Sequence, residues 1–355
     1  MGLPNVNISF IERAIASIKR SERGTVALIL KETAVPAKNP VVVLDSSDIP
    51  ASISDFNKEQ IELALMGYTK APKKVICYFV ASADKVDYKA AYQYFEVVKF
   101  DYLAIPTVET DGKTAEAATW IKAQRSIGKM CKAVLPNSAS DSEGIVNFAT
   151  ATVTNGKTTY TTEQYCSRIA GLIAGTPLTI ASTYAPLPEL TDCTKLTVAE
   201  LDAAIDAGKF IVFHDGEKVK VGRGVNSLVT TTQDKGVQFK KIKIVEAMDM
   251  IYDDVKKTAE DNYLGKYSNS YDNKCLLISA INGYFDKLIL DGILEAGSIG
   301  IDLPVQRAYL KGTGVNTDSI NDDEIKVYNT GDKVFLTAKV TILDAIEEIT
   351  LPIYI

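Results

Sequence analysis

"VICYFVASADKVDYKAAYQYFEVVKFDYLAIPTV", residues 75–108, carries the grammar that decides the fold of the first half of the chain. Two short apolar runs rich in β-branched and aromatic residues, "VICYFVA" and "DYLAIPTV", flank "DYKAAYQYFEVV", which places Ala91, Phe95 and Val98 on one helical face. Strands separated by amphipathic helices are βαβ units. The alternation continues on both sides, through "TVALIL" from Thr25 and "DFNKEQIELALMGY" before it, and "TAEAATWIKAQRSIG" and "CKAVLP" after it. The expected fold is therefore multidomain α/β and α+β, beginning with an α/β layer domain whose sheet is largely parallel. Its crossovers are expected to be right-handed.

A further helix, "TTEQYCSRIAGLIAGTP", starts on threonine caps and ends at Gly175 before Pro177. Its small residues Ala170, Gly171, Ala174 and Gly175 predict close approach to another element. "STYAPLPELTDCT" then reads as an inter-domain linker, because it holds Pro186 and Pro188, and it puts a boundary near residue 190. Beyond it the pattern changes. "KFIVFHDGEKVKVGRGV" is two alternating runs about Asp215 and Gly216, a hairpin signal. "KIKIVEAMDMIYDDVKKTAED" sets Ile244, Met248, Ile251, Val255 and Ala259 at helical spacing, with acids elsewhere. "LLISAINGYFDKLILDG" is apolar around most of its circumference and is expected to be buried. "KVFLTAKVTILDAIEEITLPIYI" holds two strand-like stretches. The expected C-terminal domain is a smaller α+β unit with mixed or antiparallel strands.

The 355 residues are 46% hydrophobic, enough for two or more domains with cores of their own. A net charge of -6, with lysines interspersed among acids, leaves no electrostatic footprint for nucleic acid or an anionic membrane. No apolar run approaches the roughly 18 to 20 residues of a membrane span, and the start of the chain lacks a signal-peptide core. Five scattered cysteines, Cys77, Cys131, Cys166, Cys193 and Cys275, match neither a zinc spacing nor a disulfide framework, and are expected to be buried thiols of a protein made in the cytosol.

The search for chemistry finds no catalytic, cofactor or metal set. A hydrolytic triad would have to use His214, the one histidine, yet there is no G-x-S-x-G elbow, and Asp215 beside it is taken by the turn. "GRGVNS" and "KGTGVN" match no phosphate loop and read as turns. "SINDDEI" lacks the order of a calcium loop and reads as helix initiation. A ligand site at the switch point of the parallel sheet, in residues 25–140, is the alternative class, although no convergent polar set stands out there.

Both termini carry strand patterns. Val6, Ile8 and Phe10 alternate with polar residues at one end, and Ile349, Leu351, Ile353 and Ile355 fall on every second position at the other. Such arms suit β-augmentation, in which an extended segment joins the sheet of another chain. Folding back on the same chain is the other reading of the same pattern.

The segments "MGLPNVNISF", "AGLIAGTPLTIASTYAPLPEL", "GKFIVFHDGEKVKVGRGVNSLVTTT", "FKKIKIVEAMDMIYDDVKKTAEDNYLGKY", "NKCLLISAINGYFDKLILDGIL" and "NTGDKVFLTAKVTILDAIEEI" resemble the contractile phage tail sheath proteins of Gram-positive myoviruses and phage-tail-like bacteriocins, the XkdK-like group. The likeness spans essentially the whole chain. It implies a structural subunit that polymerises helically with itself, commonly as hexameric rings, around an inner tail tube protein, with a baseplate and tail terminator as further partners. It implies no enzyme activity, no cofactor, no nucleic acid and no membrane insertion. The particle would be assembled in the bacterial cytoplasm and released on lysis. The implied layout is an N-terminal arm (1–22), an outer α/β domain (23–190), an inner α+β domain against the tube (191–343) and a C-terminal arm (344–355), with both arms crossing to neighbours. In that layout the acid-rich helix carrying Glu246, Asp249, Asp253 and Asp254 is a candidate tube contact, and a solvated face accounts for the same charges. A tail tube or other virion component fits the two-domain length and paired arms less well.

Overall fold

A computed structural model describes residues 18–20, 23–83 and 86–355. The chain divides into two compact bodies, one of residues 23–250 with Asp344–Ile355, the other of Ile251–Leu343 with residues 18–20.

In the first body, β1 (Thr25–Glu32) lies near the middle of a sheet and is buried on both faces, Val26 through Leu30 all being fully enclosed. Continuous apolar runs are what a covered parallel strand requires. The chain continues through β2 (Val41–Val43), α1 (Asp55–Leu65), β3 (Lys74–Ala81), α2 (Lys89–Val97), β4 (Tyr102–Ala104), α3 (Thr114–Ser126), β5 (Lys132–Pro136) and β6 (Ile145–Phe148). After β7 (Thr152–Asn155) and β8 (Thr158–Thr161) come α4 (Thr162–Ala174), β9 (Asp192–Cys193), α5 (Val198–Asp206) and β10 (Lys209–Phe210). The seven-stranded sheet has the order β10-β6-β5-β4-β1-β3-β2. All its pairs are parallel except β2 on β3, the expected largely parallel arrangement.

Side chains alternate across the sheet and so divide the core into two layers. Val26, Leu28 and Leu30 join Ile61 of α1 and Ile169 and Leu172 of α4. Ala27 and Ile29 join Ala91 and Phe95 of α2 and Ala117 and Ile121 of α3. The small face of α4 meets α1: a Cβ on Gly171 would stand 2.0 Å from the Ala64 carbonyl oxygen. Only glycine permits that approach.

The boundary expected near residue 190 lies inside this body, because β10 pairs with β6 in the main sheet and β9 pairs with β7. The presumed linker is core instead. Ala185, Leu187, Leu190 and Cys193 are buried, while Pro186 bridges to Lys220. Prolines are tolerated there because the path runs beside short edge strands. The hairpin of β11 (Val212–His214) and β12 (Val219–Val221) forms as expected, with Gly216 at φ +106° in its turn.

Helix α6 (Ile242–Asn262) belongs to the first body as far as Met250 and to the second from Ile251. The second body adds α7 (Tyr271–Leu290), β13 (Leu294–Ile301), α8 (Leu303–Gly312), α9 (Asp322–Val327) and β14 (Leu336–Ile342). "SINDDEI" starts α9 through a capping box, in which Asn321 Oδ1 accepts the Glu324 amide at 2.9 Å and Glu324 Oε2 accepts the Asn321 amide at 3.0 Å. β13 and β14 form a two-stranded antiparallel sheet. α7 buries one stripe, Ile281, Tyr284, Phe285 and Leu288. Burial around its circumference is not found: Leu290 is 86% exposed, because a two-stranded sheet covers one side of a helix only.

Candidate assembly interface

The carboxyl ends of β1 and β4, where the strand order reverses, are the place at which an α/β sheet ordinarily receives a ligand. Here the chain's own carboxylates fill the polar positions. Glu163 accepts the amides of Glu109 at 2.9 Å and Thr110 at 3.0 Å. Glu32 accepts from the Ser54 amide at 2.8 Å and from Asn57 Nδ2 at 2.9 Å. Asp111 binds Lys31 at 2.5 Å, Thr107 Oγ1 at 2.8 Å and the Tyr88 hydroxyl. Burial opposes ionisation of Asp111, but Lys31, Tyr88 and Thr107 outweigh it and hold the carboxyl below its usual range. Elsewhere, His214 Nδ1 accepts the Gly216 amide at 3.0 Å, and Asp215 pairs with Lys220 at 2.8 Å. His214 thus serves the hairpin. Cys77, Cys131, Cys166 and Cys193 are buried thiols and Cys275 is half-buried. Among the described residues no His, Cys, Asp or Glu cluster could hold a metal ion, and no helix is long and apolar enough to cross a membrane.

The acidic helix differs from expectation. Glu246 accepts from the Tyr102 hydroxyl at 2.6 Å and pairs with Lys132 at 2.8 Å and with Arg23. Asp249 takes both Arg125 guanidinium nitrogens, at 2.8 and 2.9 Å, and Lys132 at 2.7 Å. Asp254 accepts from the Tyr284 hydroxyl at 2.7 Å. Glu246, Asp249 and Asp254 are therefore buried within the subunit, with Asp253 half-buried and engaged, and the outward face expected of them is corrected. The missed signal was Lys132 in "CKAVLP": a lysine opening an apolar strand needs a buried carboxylate. Burial pulls the Lys132 amine down, and Asp249 is what counters it.

The C-terminal arm has a held root and a free tail. Glu347 receives Thr183 Oγ1 at 2.5 Å, Arg223 Nε at 2.9 Å and Lys241 Nζ at 3.2 Å. Asp344 pairs with Lys241, and Glu348 with Arg223 Nη2 at 2.9 Å. Burial opposes the charge on Glu347, yet Thr183, Arg223 and Lys241 keep its carboxyl below the usual range. From Ile349 onward the arm joins no strand, and Ile349, Leu351 and Ile353 are 83%, 74% and 78% exposed. Val6, Ile8 and Phe10 lie outside the described residues.

In the second body, α7 covers one face of the β13–β14 pair, and a Cβ on Gly297 would reach Phe285 at 3.0 Å. Asn282 Oδ1 accepts the Ile299 amide at 3.0 Å. Among the described residues no third strand joins this sheet. Packing on α7 supports the pair, and its unpaired edges are templates for another strand.

The chain is similar to known proteins along its whole length. Residues 81–227 match the family model described as the phage tail sheath protein central domain, and residues 234–355 match the phage tail sheath C-terminal domain. The chain is 38% identical over 357 residues to a tail sheath protein of Clostridium phage phiCD119, covering 99% of this chain and 98% of that protein. It is 29% identical over 180 residues to the phage-like element PBSX protein XkdK of Bacillus subtilis, covering 50% of this chain and 38% of that one. Among solved structures, the sheath tail protein of Desulfitobacterium hafniense aligns with a TM-score of 0.67 at 20% identity, over 84% of this chain and 94% of that chain. The helical sheath of the anti-feeding prophage in its contracted state aligns with a TM-score of 0.71 at 16% identity, over 100% of this chain and 99% of that chain.

Proposed function

The chain belongs to the phage tail sheath family, and on that premise we propose that its subunits are linked in the sheath by β-strand exchange through their arms. The exposed apolar row at Ile349, Leu351, Ile353 and Ile355 carries this reading. Ile349–Ile355 of one subunit adds to the β13–β14 sheet of another, and the segment holding Val6, Ile8 and Phe10 acts likewise. Donor and acceptor surfaces differ, so the contact is heterologous and propagates as a ring or helix. An inner tube protein lies within the helix, a baseplate and a terminator close its ends, and the particle is made in the bacterial cytoplasm. No step calls for an enzyme activity, and the donors at the sheet's switch point are already taken.

Burying four aliphatic side chains of the arm gives roughly 6 to 12 kcal/mol of gross stabilisation. Ordering the arm costs about 1 to 2 kcal/mol per residue, so one arm is close to balance. Two arms held by different neighbours add through effective concentration, which makes a durable lattice that must be nucleated. The arms then serve as flexible links while the bodies rotate and slide during contraction. Deleting residues 349–355 tests the reading. The truncated subunit is expected to melt as the full chain does and to form no cylinders in electron micrographs. A lowered melting temperature would place the arm in its own subunit's core.

A further inference from the structure

Glu347 stands out among the arm residues: its side chain is 8% exposed, whereas Ile346 beside it is 87% exposed. The root of the arm is thus held by charge and hydrogen bonds, with its apolar side chain left in water. The donors are also held by contacts outside the arm. Thr183 Oγ1 accepts the Gly224 amide at 3.0 Å while its hydroxyl serves Glu347. Val225 and Lys241 form an antiparallel bridge, and the Ile242 amide donates to the Gly224 carbonyl at 3.0 Å. Arg223 and Lys241 therefore project from one backbone junction.

We propose that Thr183, Arg223 and Lys241 form an ionic anchor that sets the reach of the C-terminal arm. The inference rests on the strand-exchange reading. While the anchor holds, the free length begins at Ile349. Once it lets go, residues 344–348 join the free segment, and at about 3.3 Å per extended residue the arm gains roughly 16 Å. An apolar dock would resist release through its buried area, whereas here Glu347 alone is enclosed and its partners Arg223 and Lys241 are 33% and 31% exposed, so that water can replace their contacts as the root leaves. The anchor fixes where each arm leaves its subunit during assembly, and it supplies slack when neighbouring bodies move apart.

The test pairs Arg223→Glu with Lys241→Glu, and adds Asp344→Lys, Glu347→Lys and Glu348→Lys as the charge-swapped rescue. A nitroxide on Ile346→Cys, in a Cys275→Ser background, reports on the root in the monomer. The expected result is a correlation time shortened about three-fold or more in the reversed chain and restored in the swapped chain. Cylinders of the reversed chain are expected to lose uniform axial spacing and regain it on rescue. Unchanged label mobility, or loss that the swap does not restore, would overturn the anchor. Deletion of residues 349–355 separates the two ideas. If that chain still forms cylinders, strand exchange fails, and the label spectra alone judge the anchor. If it forms none while the reversed chain assembles with native spacing, the anchor's control of reach fails and strand exchange stands.

Discussion

Asp249 sits between Arg125 and Lys132, with its side chain 9% exposed. Burial opposes its charge, and the two cations overcome that and lower its pKa. Removing one member of such a cluster strands the others in the interior, which costs about 3 to 5 kcal/mol. Asp249→Asn is expected to lower the urea midpoint at pH 7 accordingly. The sign with pH follows from linkage. A depressed folded pKa adds stability that is fully present above the unfolded value of about 3.9 and is lost as pH falls through the folded value. The native chain should therefore weaken below about pH 4, and Asp249→Asn should show a shallower loss there. Equal acid sensitivity in both would remove Asp249 from the account. This cluster was half legible: the helix that carries Asp249 was plain in the sequence, but the partners of Asp249 come from α3 and β5, more than a hundred positions earlier. No local pattern reports such a pairing.

Glycines separate two kinds of helix. In α4, Gly171 lies against the backbone of α1, and the Ala64 carbonyl oxygen cannot yield as a flexible side chain would. Gly171→Ala is expected to cost about 1 to 3 kcal/mol through forced displacement of α1. In α7, Gly283 has nothing within 4 Å of its added Cβ, so Gly283→Ala should stabilise the monomer by up to about 1 kcal/mol of helix propensity. Thermal melts of the two variants should thus move in opposite directions. A shift of the same sign in both would refute the packing argument for α4. Most elements could be read from periodicity, since α2, α4, β1 and the hairpin at Gly216 follow from their residue types. The segment after Ser182 could not. Its prolines imitate a linker, and what makes it core is the alternation of Ala185 and Leu187 toward a sheet assembled from distant strands.

At the scale of the whole molecule, the sequence shows two arms and two grammars but not where one body ends, because β10 returns to the first sheet after the grammar has changed. What it does make legible is direction. A subunit lacking residues 349–355 keeps β13 and β14, so under strand exchange it can receive a neighbour's arm and cannot donate its own. Added to native chains, it should occupy growing ends and leave the next acceptor sheet empty, so that growth slows far more than dilution requires. With about one truncated chain in ten, cylinders are expected to shorten several-fold, because each strand joint is near energetic balance and the lattice depends on both arms engaging together. Length distributions from electron micrographs, taken against the fraction of truncated chain, provide the measurement. If the truncated subunit is found within the cylinders and they shorten only in proportion to the native chains replaced, its missing arm carries no joint, and that result would remove the C-terminal arm as the donor strand.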